Sequence, residues 1–251
     1  MSKLLIYITL TLILLGCNKE KIFKGKNSIY ENFESVNDID ELLDNGNWKY
    51  FQQTEINNYI KIDTLNPHLG SNCLKIFATK GSISKSDIAN NKMAFWKGDI
   101  VQISVWFYIK DTENLNYVFL FDIEEDAMIG ASPGIRIAID PDNHLIIERK
   151  KYGQSTIHQS NNSKVQFPRN QWVELKIEIN LQQKKNGYIK LWQNNIKLID
   201  ASNIQTLPKD NLFFTQGTKG MYQSIQVGVT ATTSENDVTM FIDDINIKVI
   251  N

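Results

Sequence analysis

Between Val101 and Ile109 the chain alternates without a break, with Val101, Ile103, Val105, Phe107 and Ile109 on one side and Gln102, Ser104, Trp106 and Tyr108 on the other. A period of two sustained that long fits a strand with one buried face; a helix would scatter the same apolar side chains around its circumference. Val173, Leu175, Ile177 and Ile179 alternate in the same way with Trp172, Glu174, Lys176 and Glu178, and Ile135, Ile137 and Ile139 with Arg136 and Ala138. Asp140-Pro141-Asp142-Asn143 supplies turn chemistry before a returning strand over Leu145–Arg149. Asn186-Gly187 does the same before a strand predicted over Tyr188–Leu198. A last strand is predicted over Val238–Val249, with Phe241, Ile245, Ile247 and Val249 sharing its buried face. Only Asp38–Leu43 has helical character. Many strands, short connections and no long amphipathic helix predict an all-β fold, an antiparallel β-sandwich.

The N-terminus has a different logic. Lys3, an apolar run from Leu4 to Leu15, then Gly16 and Cys17 have the layout of a secretory signal ending in a lipobox, Leu14-Leu15-Gly16-Cys17. The run is short for a span, which takes ~20 residues. Residues 1–16 are therefore expected to be a lipoprotein signal peptide and Cys17 the lipidated first residue. Residues 17–28 form a polar tether and residues 29–251 a single domain without internal repeat. Acyl chains contribute ~0.8 kcal/mol per buried methylene, so a multiply acylated cysteine can hold a soluble domain at a membrane. The expected place is the bacterial envelope, at the outer membrane, on its periplasmic side or at the cell surface.

Removal of residues 1–16 leaves 26 basic against 28 acidic residues, a net charge of about −2. No basic face for nucleic acid follows from that balance, and a monomer is expected. With Cys17 acylated, Cys73 has no cysteine partner and reads as a small buried hydrophobe.

Several segments together carry a resemblance. Phe95-Trp96-Lys97-Gly98-Asp99, the strand ending Trp106-Phe107-Tyr108-Ile109, and Ser132-Pro133-Gly134-Ile135-Arg136-Ile137 come first. Asn170-Gln171-Trp172-Val173-Glu174-Leu175, Gly187-Tyr188-Ile189-Lys190-Leu191-Trp192-Gln193-Asn194 and Phe241-Ile242-Asp243-Asp244-Ile245 follow. This succession resembles a concanavalin A-like jelly roll, most nearly its laminin G-like and heparin-lyase-I-like polysaccharide lyase branch, over about residues 90–250. The opening, Asn32-Phe33-Glu34 with Trp48 and Gly70 to Ile76, is also similar to the first strands of jelly-roll carbohydrate-binding modules. Both likenesses imply a polysaccharide ligand.

The resemblance also implies where a lyase would keep its proton carriers, a Gln-Trp-His-like triplet and a Phe-Lys-x-Gly-x-Tyr-like strand. Here the first place reads Phe119 to Glu124 with no histidine. The second, Ile225-Gln226-Val227-Gly228-Val229-Thr230, has Gln226 and Thr230, neither of which exchanges protons near neutral pH. The expectation is a non-catalytic glycan-binding domain; the alternative is a lyase acting on uronate glycans by β-elimination through Tyr222, His158 and Arg136. Asp122 and Glu124, two apart on one strand, have a spacing that a laminarinase-type hydrolase could use, yet Leu120 stands where that family's first glutamate would be.

Sugar rings stack on aromatic planes and hydrogen-bond to charged or amide side chains, so the candidate glycan-binding residues are Trp106, Tyr108, Arg136, Tyr188 and Trp192. Arg136 would pair with a uronate carboxylate. His68, His144 and His158 lack ligand spacing for zinc, and no cofactor is required. The resemblance to jelly-roll binding modules implies a structural calcium joining first and last strands, with Glu34, Asp243 and Asp244 as donors, Asp243 pointing toward the core; carboxylates bonded to backbone N–H groups are the other reading.

Overall fold

A computed structural model describes residues 25–82, 84–110, 115–124, 134–151, 154–159, 164–208 and 221–250. Cys17, Ser132, Pro133 and the first residues of the chain lie outside them. The strands are β1 (Ser28–Glu31), β2 (Tyr50–Gln53), β3 (Tyr59–Asp63), β4 (Cys73–Ala78), β5 (Ser86–Asn90), β6 (Ile100–Ile109), β7 (Val118–Glu124) and β8 (Gly134–Ile139). They continue with β9 (Leu145–Lys151), β10 (Gln154–Gln159), β11 (Trp172–Asn180), β12 (Gly187–Gln193), β13 (Ile196–Ile204), β14 (Ser224–Thr232) and β15 (Val238–Ile250). One short helix, α1 (Ile39–Asp44), starts where the Asp38 carboxylate accepts the Glu41 N–H.

The strands form two antiparallel sheets. Sheet A runs β13-β12-β11-β6-β15-β4-β3, with β1 also paired to β15; sheet B runs β10-β9-β8-β7-β14-β5-β2. This is the expected jelly-roll sandwich. Each alternating strand turns its apolar set toward the other sheet: Ile103, Val105 and Phe107 of β6 with Leu175 and Ile177 of β11 lie in the same core as Phe121, Ile123, Ile135, Ile137, Ile225 and Val227 of sheet B. Burying each such side chain contributes about 1.5–3 kcal/mol before entropy is counted, so a core of this breadth needs no disulfide. Cys73 is buried, and its thiol is pushed up to about 12, by burial first and then by the charge of Asp243. It packs as a hydrophobe and is no nucleophile at neutral pH.

Two local features depart from the sequence expectation. The strand predicted over Tyr188–Leu198 is a hairpin, because Asn194 and Asn195 both take positive φ (46° and 66°), a tight turn that asparagine tolerates. In β15, Asp244 also has positive φ (48°), and the pairing with β6 shifts register between Asp243 and Asn246. That bulge inverts the alternation. Met240 and Ile242 precede it in the core and Ile245 and Ile247 follow it there, while Phe241 lies on the other face, edge-on to Tyr108 at 5.5 Å. Asp243, opposite Trp106, faces outward with Phe241 rather than toward the core.

Candidate functional site

The two strands where the resemblance would seat its catalytic groups, β7 and β14, are neighbours at the centre of sheet B. Their non-core side chains line up with those of β8 and β9. Gln226 stands opposite Asp122, Asp122 opposite Arg136, and Arg136 opposite Glu148, one register row across four strands. Arg136 Nε donates to Asp122 Oδ1 at 2.9 Å and Nη1 to Glu148 Oε2 at 3.2 Å, while the guanidinium lies 3.8 Å over the Phe119 ring. Phe119 reaches this face because the β7–β8 pairing shifts between Phe119 and Phe121. Arg136 is thus fixed in position by three neighbours.

Beside that ion pair stands Glu124, which accepts from Gln226 Nε2 at 3.2 Å. Burial pushes the Glu124 carboxyl up to about 7, and the negative charge of Asp122 adds to it; Arg136, Lys85 and Lys150 pull the other way. A carboxyl poised near neutrality can take or give a proton at working pH. On β5, Asp87 is fully buried, and burial followed by repulsion from Asp122 raises it well above the ordinary carboxylate range. Both Asp87 oxygens, Gln226 Oε1 and Gln52 Oε1 find no hydrogen-bond partner among the described residues. Gln52 and Gly228 are the cross-strand neighbours of Asp87. Each buried polar group left unpaired costs about 1–3 kcal/mol, so these atoms call for partners beyond the described residues, such as ordered water or a ligand.

With that geometry in view, the comparisons with known proteins identify the lineage. A family profile described as polysaccharide lyase matches residues 41–246. The chain belongs to the polysaccharide lyase family. No curated protein matches it by sequence. Among solved structures, this family member is similar to an endo-β-1,4-glucuronan lyase from the fungus Trichoderma reesei, at 14% identity and TM-score 0.68 over 89% of this chain and 95% of that one. It is also similar to an alginate lyase from Aplysia kurodai, at 16% identity and TM-score 0.57 over 89% and 98%. A variant of the alginate lyase Aly36B solved with an alginate trisaccharide aligns at 10% identity and TM-score 0.58 over 92% and 100%. At these identities the likeness shows a shared fold.

The fold of this lyase-family chain separates the residues that the sequence grouped together. Arg136 lies on the outer face of sheet B, whereas Trp106, Tyr108, Tyr188 and Trp192 lie on the outer face of sheet A, across the whole sandwich. The lyase alternative is not assembled either. Tyr222 belongs to the core and donates its hydroxyl to the Thr206 carbonyl at 2.9 Å. His158 pairs with Ile147, a core-facing residue of β9, so it sits on the inter-sheet side while Arg136 and Glu148 face out. Burial and the charge of Arg149 lower the His158 pKa, which keeps the ring neutral. Thr230 is buried, with its hydroxyl toward the Phe119 carbonyl.

On sheet A the loop of residues 64–72 covers part of the aromatic face. His68 stacks on Trp106 at 3.7 Å and meets Trp172 edge-on. The carboxylates considered for calcium fasten this loop. Glu34 accepts the Ser71 and Asn72 N–H groups, Asp243 accepts those of His68 and Asp244, and Asp244 contacts His68 Nδ1 and accepts from the Tyr30 hydroxyl. Burial pushes Asp243 up to about 6. Among the described residues, no group of three or more His, Cys, Asp or Glu is set to hold a metal ion. Trp106 is the platform under the loop, so Trp106→Ala should lower stability by about 1–3 kcal/mol in thermal denaturation and leave glycan retention intact. An unchanged thermal transition with lost retention would return Trp106 to the glycan site.

What the sequence missed is Asp87, Glu148 and Gln52, ordinary polar residues whose meaning comes from register. Glu124 was visible through its spacing from Asp122, without its altered acidity.

Proposed function

We propose that the chain is a polysaccharide lyase that holds a uronate-containing glycan on the outer face of sheet B and cleaves it by β-elimination with Glu124 as proton carrier. The observation that carries this reading is the desolvated Glu124, near pKa 7, beside a fixed guanidinium in a row of buried polar groups. Elimination removes the proton on the carbon next to the uronate carboxylate, which is feasible only when that carboxylate is neutralised. Arg136, whose guanidinium is held on this face, can do this by charge. Ionised Glu124 takes that proton as the carbon–carbon double bond forms and the bond from the next carbon to the glycosidic oxygen breaks; the departing oxygen receives its proton from the now protonated Glu124 or from water, and Gln226, bonded to Glu124, orients the carboxylate.

A second reading, binding without cleavage, draws support from Arg136 being held by two carboxylates and from Gln226 and Thr230 in place of lysine and tyrosine. One assay separates the two. Glucuronan, alginate and heparin-type polymers are incubated with the domain while ultraviolet absorbance reports unsaturated ends. A rise supports the lyase; retention of polymer without any rise supports the binding module; new reducing ends without unsaturation would overturn both in favour of hydrolysis through Asp122 and Glu124.

The same reading places the domain on the bacterial envelope through an acylated Cys17, from the lipobox and the polar flank that follows it. Cys17→Ser should move the protein from the membrane to the soluble fraction. A variant that stays membrane-bound removes the anchor.

A further inference from the structure

The outer face of sheet A holds a groove of about 370 Å³ on the side of the sandwich opposite the Glu124 row. It follows two register rows across four strands, β12, β11, β6 and β15. One row is Trp192, Lys176, Ser104 and Asn246; the next is Lys190, Glu178, Gln102 and Lys248. Ser104 is the short side chain among long ones, and that is why the face dips there. Four strands span roughly 14 Å at the usual inter-strand spacing, the length of a short oligosaccharide.

The floor is a paired sheet interior, so its backbone offers nothing to an added strand and recognition must come from side chains. Those present are an indole, amides, a hydroxyl and charges. Most of the charges are already matched. Glu178 accepts from Gln102 and Lys190, and Lys176 pairs with Glu174. Lys190 lies 4.3 Å over the Tyr188 ring and so occupies that aromatic face. Trp106 is likewise occupied by His68. Trp192 and Lys248 remain, an aromatic and a cation for which the described residues give no ion pair, at opposite ends of the groove.

We infer that this groove is a second, non-catalytic glycan subsite, in which Trp192 stacks on a sugar ring and Lys248 meets an acidic group of the same chain. The subsite takes from the proposed function the choice of anionic polymers, and the cleavage arm of its test also takes the lyase activity. Its role would be to hold a long polymer against the domain while the other face acts.

The test uses affinity electrophoresis in gels containing each polymer, with Glu124→Gln as the background so that the polymer stays intact. Trp192→Ala in that background should weaken retention about tenfold, and Lys248→Ala should weaken retention of anionic polymers but not of neutral ones. With Glu124 restored, Trp192→Ala should slow cleavage of long polymer and leave that of short oligosaccharides unchanged. Retention unaltered by both substitutions overturns the subsite, as does an equal loss on long and short substrates. If the unsubstituted domain yields no unsaturated product, the lyase reading fails by itself, and the retention arm still decides the groove.

Discussion

Arg136→Met should destabilise the domain by about 3–5 kcal/mol, because it leaves the Asp122 and Glu148 carboxylates on sheet B with no guanidinium between them. The side chains of all three are less than one-fifth exposed, so water recovers little of the lost pairing. Methionine keeps an unbranched apolar stem but removes the guanidinium from over the Phe119 ring, so the loss includes that stacking contact as well as the ion pairs. Urea denaturation measures it. Combining Arg136→Met with Asp122→Asn should restore part of the stability, since one uncompensated charge disappears. A loss below about 1 kcal/mol would mean that solvent already screens the cluster and that the row is not the desolvated site described above. In the folded remainder, Glu124 should titrate still higher, because Arg136 is among the charges that lower it.

Glu124→Gln is the second large effect, with opposite signs for activity and stability. If Glu124 accepts the proton, the substitution should cut the rate by about 10²–10⁴-fold without loss of fold. The wild-type kcat/KM should rise with pH through a value near 7, as the carboxylate forms. Stability runs the other way. The folded carboxyl sits at about 7 against an ordinary value of 4.5, so the folded state holds this proton more tightly than the unfolded state. That contribution is fully present below pH 4.5 and is lost as pH rises through 7, by about 3 kcal/mol at most. Glutamine has no proton to lose. The variant and wild type should therefore show similar denaturation midpoints near pH 5 and diverge by pH 8, with the variant the more stable. A wild-type rate in the glutamine variant, or a pH–rate profile flat across this range, removes Glu124 as the proton carrier.

Period-two patterning is a local property, and it determined which side of its own strand a residue occupies: Ile103, Val105 and Phe107 inward, Trp106 and Tyr108 outward, and likewise Ile135 and Ile137 against Arg136. The turn at Asp140–Asn143 was legible for the same reason, since Asp140 caps it through the Asp142 and His144 N–H groups and Asn143 supplies the positive φ. The jelly-roll likeness and the polysaccharide-handling lineage also came from the sequence. Sheet membership is decided by pairings between strands far apart in the chain, so alternation could not show that Arg136 and Trp106 face opposite directions across the core. Nor could it show that the Asp243–Asp244 bulge inverts the alternation in β15, or that Tyr222 turns its hydroxyl inward to Thr206. The acidity of Glu124 and Asp87 belongs to the tertiary structure alone, because it comes from burial and from charges that β7, β8 and β9 bring beside them only when the sheet has formed.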